Sequence, residues 1–127
     1  MIYNEVYKDL FTVPEDYYLG HCISADFALG AGIAREFNRR FKMKQKLMDQ
    51  YPEYWKFMKS ANKYGDCVLV DNVFNLITKE KYNYKPTYAS MEQALMKMKG
   101  LCRIFNVKKI AIPTIGCGFI IVFLFSN

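Results

Sequence analysis

The chain has 127 residues, of which 52% are hydrophobic and 17% aromatic. This length and composition predict one globular domain that buries its own core, and they exclude a disordered chain. The net charge of +6 suits an anionic ligand or nucleic acid, although a modest basic excess is more often a solvated surface.

The cysteines and the histidine argue against a metal centre. The four cysteines show no C-x-x-C spacing, and His21 is the only histidine. We therefore predict no metal site and no cofactor, with reduced thiols and a cytoplasmic location. The first residues lack the basic and apolar regions of a signal peptide. The longest apolar run, residues 119–125, falls short of the ~18 residues of a membrane span, so we expect no membrane partner.

A glycine-rich loop organises the first part of the chain. Residues 2–7 predict a first strand, and residues 17–23 predict a buried strand after the turn at Pro14. Gly30-Ala-Gly32 precedes a helix predicted over residues 32–41, whose apolar residues recur every four positions. A strand, a glycine-rich loop and a helix together present backbone N–H groups to an anion. This stretch therefore predicts one wall of a phosphate-bearing ligand site, with an ordinary tight turn as the alternative.

The loop does not match the dinucleotide-binding pattern G-x-G-x-x-G, because Arg35 stands in place of the third glycine. Residues 42–63 predict a short helix before Pro52 and another over residues 54–59. Residues 67–70 and 73–78 predict two strands around Asp71-Asn72, either as a hairpin or with a short link.

A second helix is predicted to follow Pro86. Thr87 is one candidate N-cap, and Ser90 with Gln93 is the other, as a capping box. An apolar stripe on this helix predicts a core face, formed by Tyr88, Met91, Leu95, Met98, Cys102 and Phe105. Residues 110–112 predict a strand that leads into the second glycine loop.

Strands and helices alternate, with one expected hairpin, which predicts an α/β fold whose sheet is largely parallel with an antiparallel component and covered on both faces. Ligands of such sheets bind outside the carboxyl ends of the strands. Both glycine loops directly follow strands, so they are predicted to lie on the same edge and to hold a diphosphate between them.

Six short blocks support a more specific interpretation. The blocks are Lys8-Asp9-Leu10-Phe11, His21-Cys-Ile-Ser-Ala-Asp26, Gly30-Ala-Gly-Ile-Ala34, Leu76-Ile-Thr-Lys79, Lys85-Pro-Thr-Tyr88 and Ile112-Pro-Thr-Ile-Gly-Cys-Gly118. In this order they resemble the macrodomain family, and most closely the branch that removes terminal ADP-ribose from proteins. The resemblance implies a three-layer α/β/α mixed sheet. It also implies ADP-ribose or a mono-ADP-ribosylated protein as the partner.

The resemblance implies a role for each matching residue. Asp9 would accept hydrogen bonds from the adenine amino group, with the Leu10 backbone beside it, and Ser24 would reach the distal ribose. Two loops would hold the diphosphate: Gly30, Ala31, Gly32, Ile33 and Ala34 from one side, and Thr114, Ile115, Gly116, Cys117 and Gly118 from the other. Lys79 matches the lysine that this branch uses against the anomeric carbon of the distal ribose.

The residues themselves support Lys79 only in part. It is predicted to end a strand on the ligand edge, where an amine of lowered pKa can attack a glycosidic carbon. The alternative is a solvated lysine among Lys79, Lys81 and Lys85. Cys117 is expected to be a small residue of the site rather than a nucleophile. His21 is expected to be a core histidine.

The chain departs from the family after Gly118. The branch has an acid two residues further on, which works with the lysine, and Ile120 stands in that place. Since isoleucine moves no proton, hydrolysis is expected to be absent or impaired, and Ile120→Asp is expected to restore it if only the acid is missing. Residues 119–127 read as one apolar strand instead of the family's last helix and strand. A single domain over residues 1–127 with an incomplete or altered C-terminus is expected, and an edge strand is the other interpretation.

Two further functions stay open. One is a non-catalytic ADP-ribose reader module. The other, less favoured, is a basic nucleic-acid-binding domain, which depends on the net charge and on Lys42, Lys44, Lys46, Lys56, Lys59 and Lys63 among aromatic residues.

Overall fold

The structure is a computed structural model, and it describes residues 2–55, 65–114 and 119–125. Six strands form one mixed sheet: β1 (Ile2–Tyr7), β2 (Tyr18–Ser24), β3 (Asp66–Val70), β4 (Val73–Lys79), β5 (Lys109–Pro113) and β6 (Phe119–Leu124). Their order across the sheet is β1-β6-β5-β2-β4-β3. β2 runs parallel to both β4 and β5, so the carboxyl ends of these three strands meet at one edge. The predicted common edge is therefore confirmed for these strands, and the binding of a ligand there stays a prediction.

Helices cover both faces of the sheet. On one face lie α1 (Gly32–Phe41), α2 (Met43–Gln50) and the single turn α3 (Pro52–Trp55), with Phe37, Met43 and Leu47 in their core. On the other face lies α4 (Tyr88–Ile104). Successive side chains of a strand point to opposite faces of the sheet, so alternate strand residues pack in the core on one face and in the core on the other. Three layers result, which confirms the predicted α/β/α architecture. The expectation of a largely parallel sheet was wrong, because β1–β6, β5–β6 and β3–β4 are antiparallel pairs and only the two pairs of β2 are parallel.

Local signals predicted most element bounds. The helix predicted over residues 32–41 coincides with α1, and Lys42 ends it in the left-handed region at φ 53°. β3 and β4 form the predicted antiparallel hairpin around Asp71-Asn72. Thr87 caps α4, and Ser90 completes the capping box with it, so the two alternatives for this N-terminus act together. Of the helix predicted over residues 54–59, only the part before residue 56 lies within the described residues, and α3 ends at Trp55.

The buried face of α4 differs from the predicted stripe. Ser90, Ala94, Met98 and Cys102 are buried at four-residue spacing, whereas Tyr88 is 97% exposed. The prediction was wrong at the ends of the stripe, because α4 approaches β3 and β4 through its small residues. The Ser90 hydroxyl reaches the sheet and donates to the Thr78 carbonyl oxygen at 2.7 Å.

The C-terminal tail corrects a second expectation. β6 lies between β1 and β5 and pairs antiparallel with both, so it is an interior strand and the edge-strand interpretation is wrong. Pairing on both sides satisfies its backbone N–H and C=O groups. The tail therefore supplies a final strand that was expected to be missing.

Candidate functional site

The parallel pairing of β2 and β4 brings Ser24 and Lys79 together. They are partners in the strand register, beside an irregularity between Ile23 and Ser24. The Ala25 backbone N–H then donates to the Lys79 carbonyl oxygen at 2.9 Å. The last residue of each strand is thereby held at the same edge, although 55 positions separate them in the sequence.

Residues 25–31 form the loop from β2 to α1. Phe27 and Leu29 have positive φ angles of 55° and 43°. Both side chains are buried, at 0% and 5% exposure, and this burial offsets the strain of that backbone conformation. The apolar anchors leave Gly30 and Ala31 exposed, with their backbone available to a ligand.

A cavity of about 450 Å³, here called the glycine-loop cavity, lies between this loop and the end of β4. Five predicted site residues line it: Ser24, Gly30, Ala31, Ala34 and Lys79. Five further lining residues were not predicted: Cys22, Ile23, Ala28, Leu29 and Tyr82. The lining combines apolar side chains with a hydroxyl group and an ammonium group, which is the usual make-up of a small-molecule site.

The remaining predicted residues that the structure describes do not line this cavity. Asp9 is exposed, and its carboxylate accepts from the Phe11 backbone N–H at 3.0 Å to cap a 3-10 turn over Leu10–Thr12. The Leu10 side chain lies in the core, at 4% exposure. Gly32 and Ile33 form the start of α1, and Gly32 has a φ of 58°.

The second glycine loop was predicted to face the first. Thr114 follows β5 and is half-buried. Ile115, Gly116, Cys117 and Gly118 lie outside the residues that the structure describes. Their predicted contact with a diphosphate stays a prediction.

Asp26 joins several parts of the candidate site, although the sequence analysis gave it no role. Its Oδ1 atom accepts from the Ser24 hydroxyl at 2.5 Å and from the Ala28 backbone N–H at 3.1 Å. Its Oδ2 atom accepts from the Tyr82 backbone N–H at 3.1 Å. One carboxylate therefore joins β2, the glycine loop and the loop after β4. The Ser-x-Asp spacing after a strand, typical of an Asx turn, was the available signal.

Lys79 is held at the rim of the cavity. Its Nζ atom donates to the Tyr82 carbonyl oxygen at 2.8 Å. Since Asp26 holds the N–H of the same residue, Asp26 restrains Lys79 through Tyr82. The Cys22 thiol reaches solvent, but the atoms packed around it raise its pKa, and the charge of Lys79 only partly opposes this. The thiol is therefore protonated at neutral pH and is a weak nucleophile.

His21 lies in the core, on the face of the sheet that α1 covers. Its ring stacks on Phe37 with 4.0 Å between centroids, and its Nε2 atom is 2.6 Å from the Asn75 Oδ1 atom. Within the described part of the chain, its Nδ1 atom has no hydrogen-bond partner. Burial lowers the pKa of His21 to about 4, although the Asn75 hydrogen bond opposes the shift. His21 is neutral at pH 7 and does not line the cavity.

Ile120 is 2% exposed and packs in the core cluster with Phe37 and Ile23. No carboxylate is among the described residues that line the cavity. Asp26 is the acid that hydrogen-bonds to the lining residue Ser24. Neither a set of three potential metal ligands nor a membrane-spanning helix occurs in residues 2–55, 65–114 and 119–125.

Known proteins resemble this chain in sequence and in fold. No protein-family model matches the sequence. The chain is 36% identical over 112 residues to the ADP-ribose glycohydrolase OARD1 of Homo sapiens, an alignment that covers 87% of this chain and 68% of that protein. The corresponding Bos taurus protein gives the same identity and coverage.

Solved structures share the fold at lower identity. The macrodomain of Mycobacterium tuberculosis DarG matches with a TM-score of 0.67 and 21% identity, over 87% of this chain and 75% of that one. The macrodomain of Thermus aquaticus DarG matches with a TM-score of 0.67 and 23% identity, over 89% of this chain and 76% of that one.

Proposed function

Because this chain belongs to the macrodomain family, of the terminal ADP-ribose glycohydrolase type, we propose that it binds ADP-ribose in the glycine-loop cavity. The observation that carries the proposal is the meeting of Ser24, the glycine loop and Lys79 around one cavity. Backbone N–H groups and an ammonium group suit a diphosphate, and a hydroxyl group suits a ribose. The cavity volume of about 450 Å³ is within the usual range for small-molecule sites.

The proposed orientation follows from the same residues. Gly30, Ala31 and Ala34 hold the diphosphate, and the start of α1 adds the positive end of its dipole. Ser24 contacts the distal ribose, whose anomeric carbon lies near Lys79. Asp9 receives the adenine amino group, and Thr114 to Gly118 close the site from the other side.

We further propose that the ligand arrives as a mono-ADP-ribosylated protein, attached through a carboxylate side chain. After the Lys79 ammonium group loses a proton to solvent, its Nζ lone pair forms a bond to the anomeric carbon while the bond from that carbon to the carboxylate oxygen breaks. The substrate side chain leaves as a carboxylate. Water then adds to the same carbon, Lys79 leaves as an amine, and free ADP-ribose is released.

This reaction needs a group that takes a proton from the lysine and later from water. Ile120 has no such group, and its side chain is buried among apolar residues. Hydrolysis is therefore proposed to be slower by about 10²–10⁴ than in a relative with an acid, which is the usual contribution of a general acid–base group.

Calorimetry tests the binding proposal. ADP-ribose is expected to give saturable heat, AMP much less, and a short single-stranded RNA none at physiological salt. Ala31→Glu is expected to weaken ADP-ribose binding about 100-fold, because a carboxylate then faces the diphosphate. Ala89→Glu, an equally exposed site on α4, is the matched control and is expected to bind like the parent. Absence of heat at millimolar ADP-ribose would overturn the proposal.

Single-turnover release from a glutamate-ADP-ribosylated protein separates a slow hydrolase from a reader module. A slow hydrolase releases ADP-ribose at a rate that Lys79→Gln abolishes. A reader binds the modified protein with no release above buffer. Release as fast as that of the human relative would contradict the proposed effect of Ile120.

A further inference from the structure

A second cavity of about 200 Å³ adjoins Lys79, between the end of β4 and the start of α4. We call it the α4 cleft. It is lined by Thr78, Lys79, Glu80, Tyr84, Lys85, Thr87 and Ser90. Among the described residues, Lys79 is the one that lines both this cleft and the glycine-loop cavity. The two cavities therefore meet at the amine to which the proposed chemistry is assigned.

The surface around the α4 cleft is basic and aromatic. Residues 81–89 are all exposed, and Tyr82, Tyr84 and Tyr88 are 68%, 47% and 97% exposed. The Lys81 ammonium lies 5.7 Å from the centroid of the Tyr84 ring. Residues 79–88 contain three lysines and one glutamate, for a local charge of +2. Tyrosine is enriched at surfaces that contact another protein, and the lysines beside these tyrosines attract an anionic partner.

We propose that the α4 cleft receives the modified side chain of the substrate protein, together with acidic residues that flank it. This inference rests on the proposed function. If ADP-ribose fills the glycine-loop cavity with its anomeric carbon at Lys79, the attached polypeptide must leave the site beside Lys79. The α4 cleft is a described space that borders this point.

The chemistry of the cleft fits a carboxylate. Lys85 provides a positive charge at the place where the leaving side chain becomes an anion, and Glu80 is the one acidic residue among the described lining. A volume of about 200 Å³ exceeds several times the ~30 Å³ of a water molecule, so a carboxylate side chain fits. Tyr84 and Tyr88 offer flat surfaces for the flanking peptide. Nucleic acid is the competing occupant of such a surface, but its phosphates do not explain why the cleft borders Lys79.

Lys85→Glu tests the proposal, with Lys99→Glu as the matched control at an exposed position later on α4. The two measurements are the affinity for free ADP-ribose and the affinity for an acidic peptide that carries ADP-ribose on a glutamate. Lys85→Glu is expected to weaken the modified peptide about tenfold and to leave free ADP-ribose within about twofold. Lys99→Glu is expected to leave both within about twofold, and thermal melts check that both variants fold.

Three results would overturn the inference. One is that Lys85→Glu loses affinity equally for free ADP-ribose and for the modified peptide. Another is that Lys85→Glu binds the modified peptide as tightly as the parent does. The third is an unmodified single-stranded RNA that binds more tightly than the modified peptide and loses affinity with Lys85→Glu. Failure of the proposed function is recognised separately, because the parent protein would then give no heat with free ADP-ribose.

Discussion

The two sides of the proposed site are built differently. On the β2–β4 side, Ser24, Asp26 and Lys79 lie within one hydrogen-bonded network around a cavity. On the β5–β6 side, β6 is an apolar strand, and the position expected for an acid carries Ile120 in the core. The cavity and the position expected to carry its proton-transfer group therefore belong to different parts of the chain, and one can be present without the other. The first depends on strand ends and a short loop, whereas the second depends on how the chain continues after β5.

The largest expected effect comes from forcing the β5–β6 side to resemble the β2–β4 side. Ile120→Asp places a carboxylate in an apolar core with no partner, which is expected to cost about 3–5 kcal/mol of unfolding free energy. The sequence alone predicted a gain in hydrolysis; with Ile120 buried, we expect none. Urea denaturation and single-turnover release measure both quantities. Ile120→Val, which costs about 1 kcal/mol, is the control. A stable and faster Ile120→Asp variant would contradict the placement of this side chain.

Acidification is expected to lower the free energy of unfolding through His21, which is buried on β2. The pKa of His21 is about 4 when folded and 6.5 when unfolded, so the unfolded chain binds more protons between these values. The contribution of neutral His21 to the free energy of unfolding is present above pH 6.5. It falls by roughly 3 kcal/mol as the pH is lowered towards 4. Denaturation curves at pH 7 and 4.5 measure it. His21→Gln should flatten this dependence; an unchanged slope would assign it to other groups.

Removing the proposed nucleophile leaves the cavity but takes away its chemistry. Lys79→Gln is expected to reduce residual hydrolysis by about 10² or more, while ADP-ribose affinity changes by only a few-fold. Single-turnover release and calorimetry separate the two effects, and Lys99→Gln serves as the control. A Lys79→Gln variant that still releases ADP-ribose at the parent rate would leave Lys79 without its proposed role.

The smallest effect concerns the network that makes the β2–β4 side complete. Asp26→Ala removes three hydrogen bonds, frees the Tyr82 loop, and is expected to lower ADP-ribose affinity about tenfold. Asp26→Asn keeps an acceptor and is expected to recover part of the loss. Calorimetry of both variants, beside the unfolding free energy, measures the effect. Equal affinity in the parent and in Asp26→Ala would show that the network does not position the site.

Some features of the fold and of the candidate site could be predicted from residues that are close in sequence, whereas others depend on contacts between distant residues. The spacing of apolar residues placed α1, and Pro86-Thr87 placed the start of α4, because these signals act within one or two turns. Lys79 could be assigned to the ligand edge because a parallel strand must end there. The link from Asp26 to Tyr82 spans 56 positions and depends on the pairing of β2 with β4, so no local pattern contains it.

The fold class, the family and five of the ten residues that line the glycine-loop cavity could be predicted from the sequence, since periodicity, turn chemistry and six ordered motifs are properties of the chain. Which face of α4 is buried and where residues 119–125 lie depend on contacts between distant parts of the chain, so these two features became known from the tertiary structure. A run as apolar as residues 119–125 can form an edge strand or an interior strand with equal local preference. Pairing with β1 on one side and β5 on the other decides between them, because it satisfies the backbone of β6 on both sides and buries Ile120.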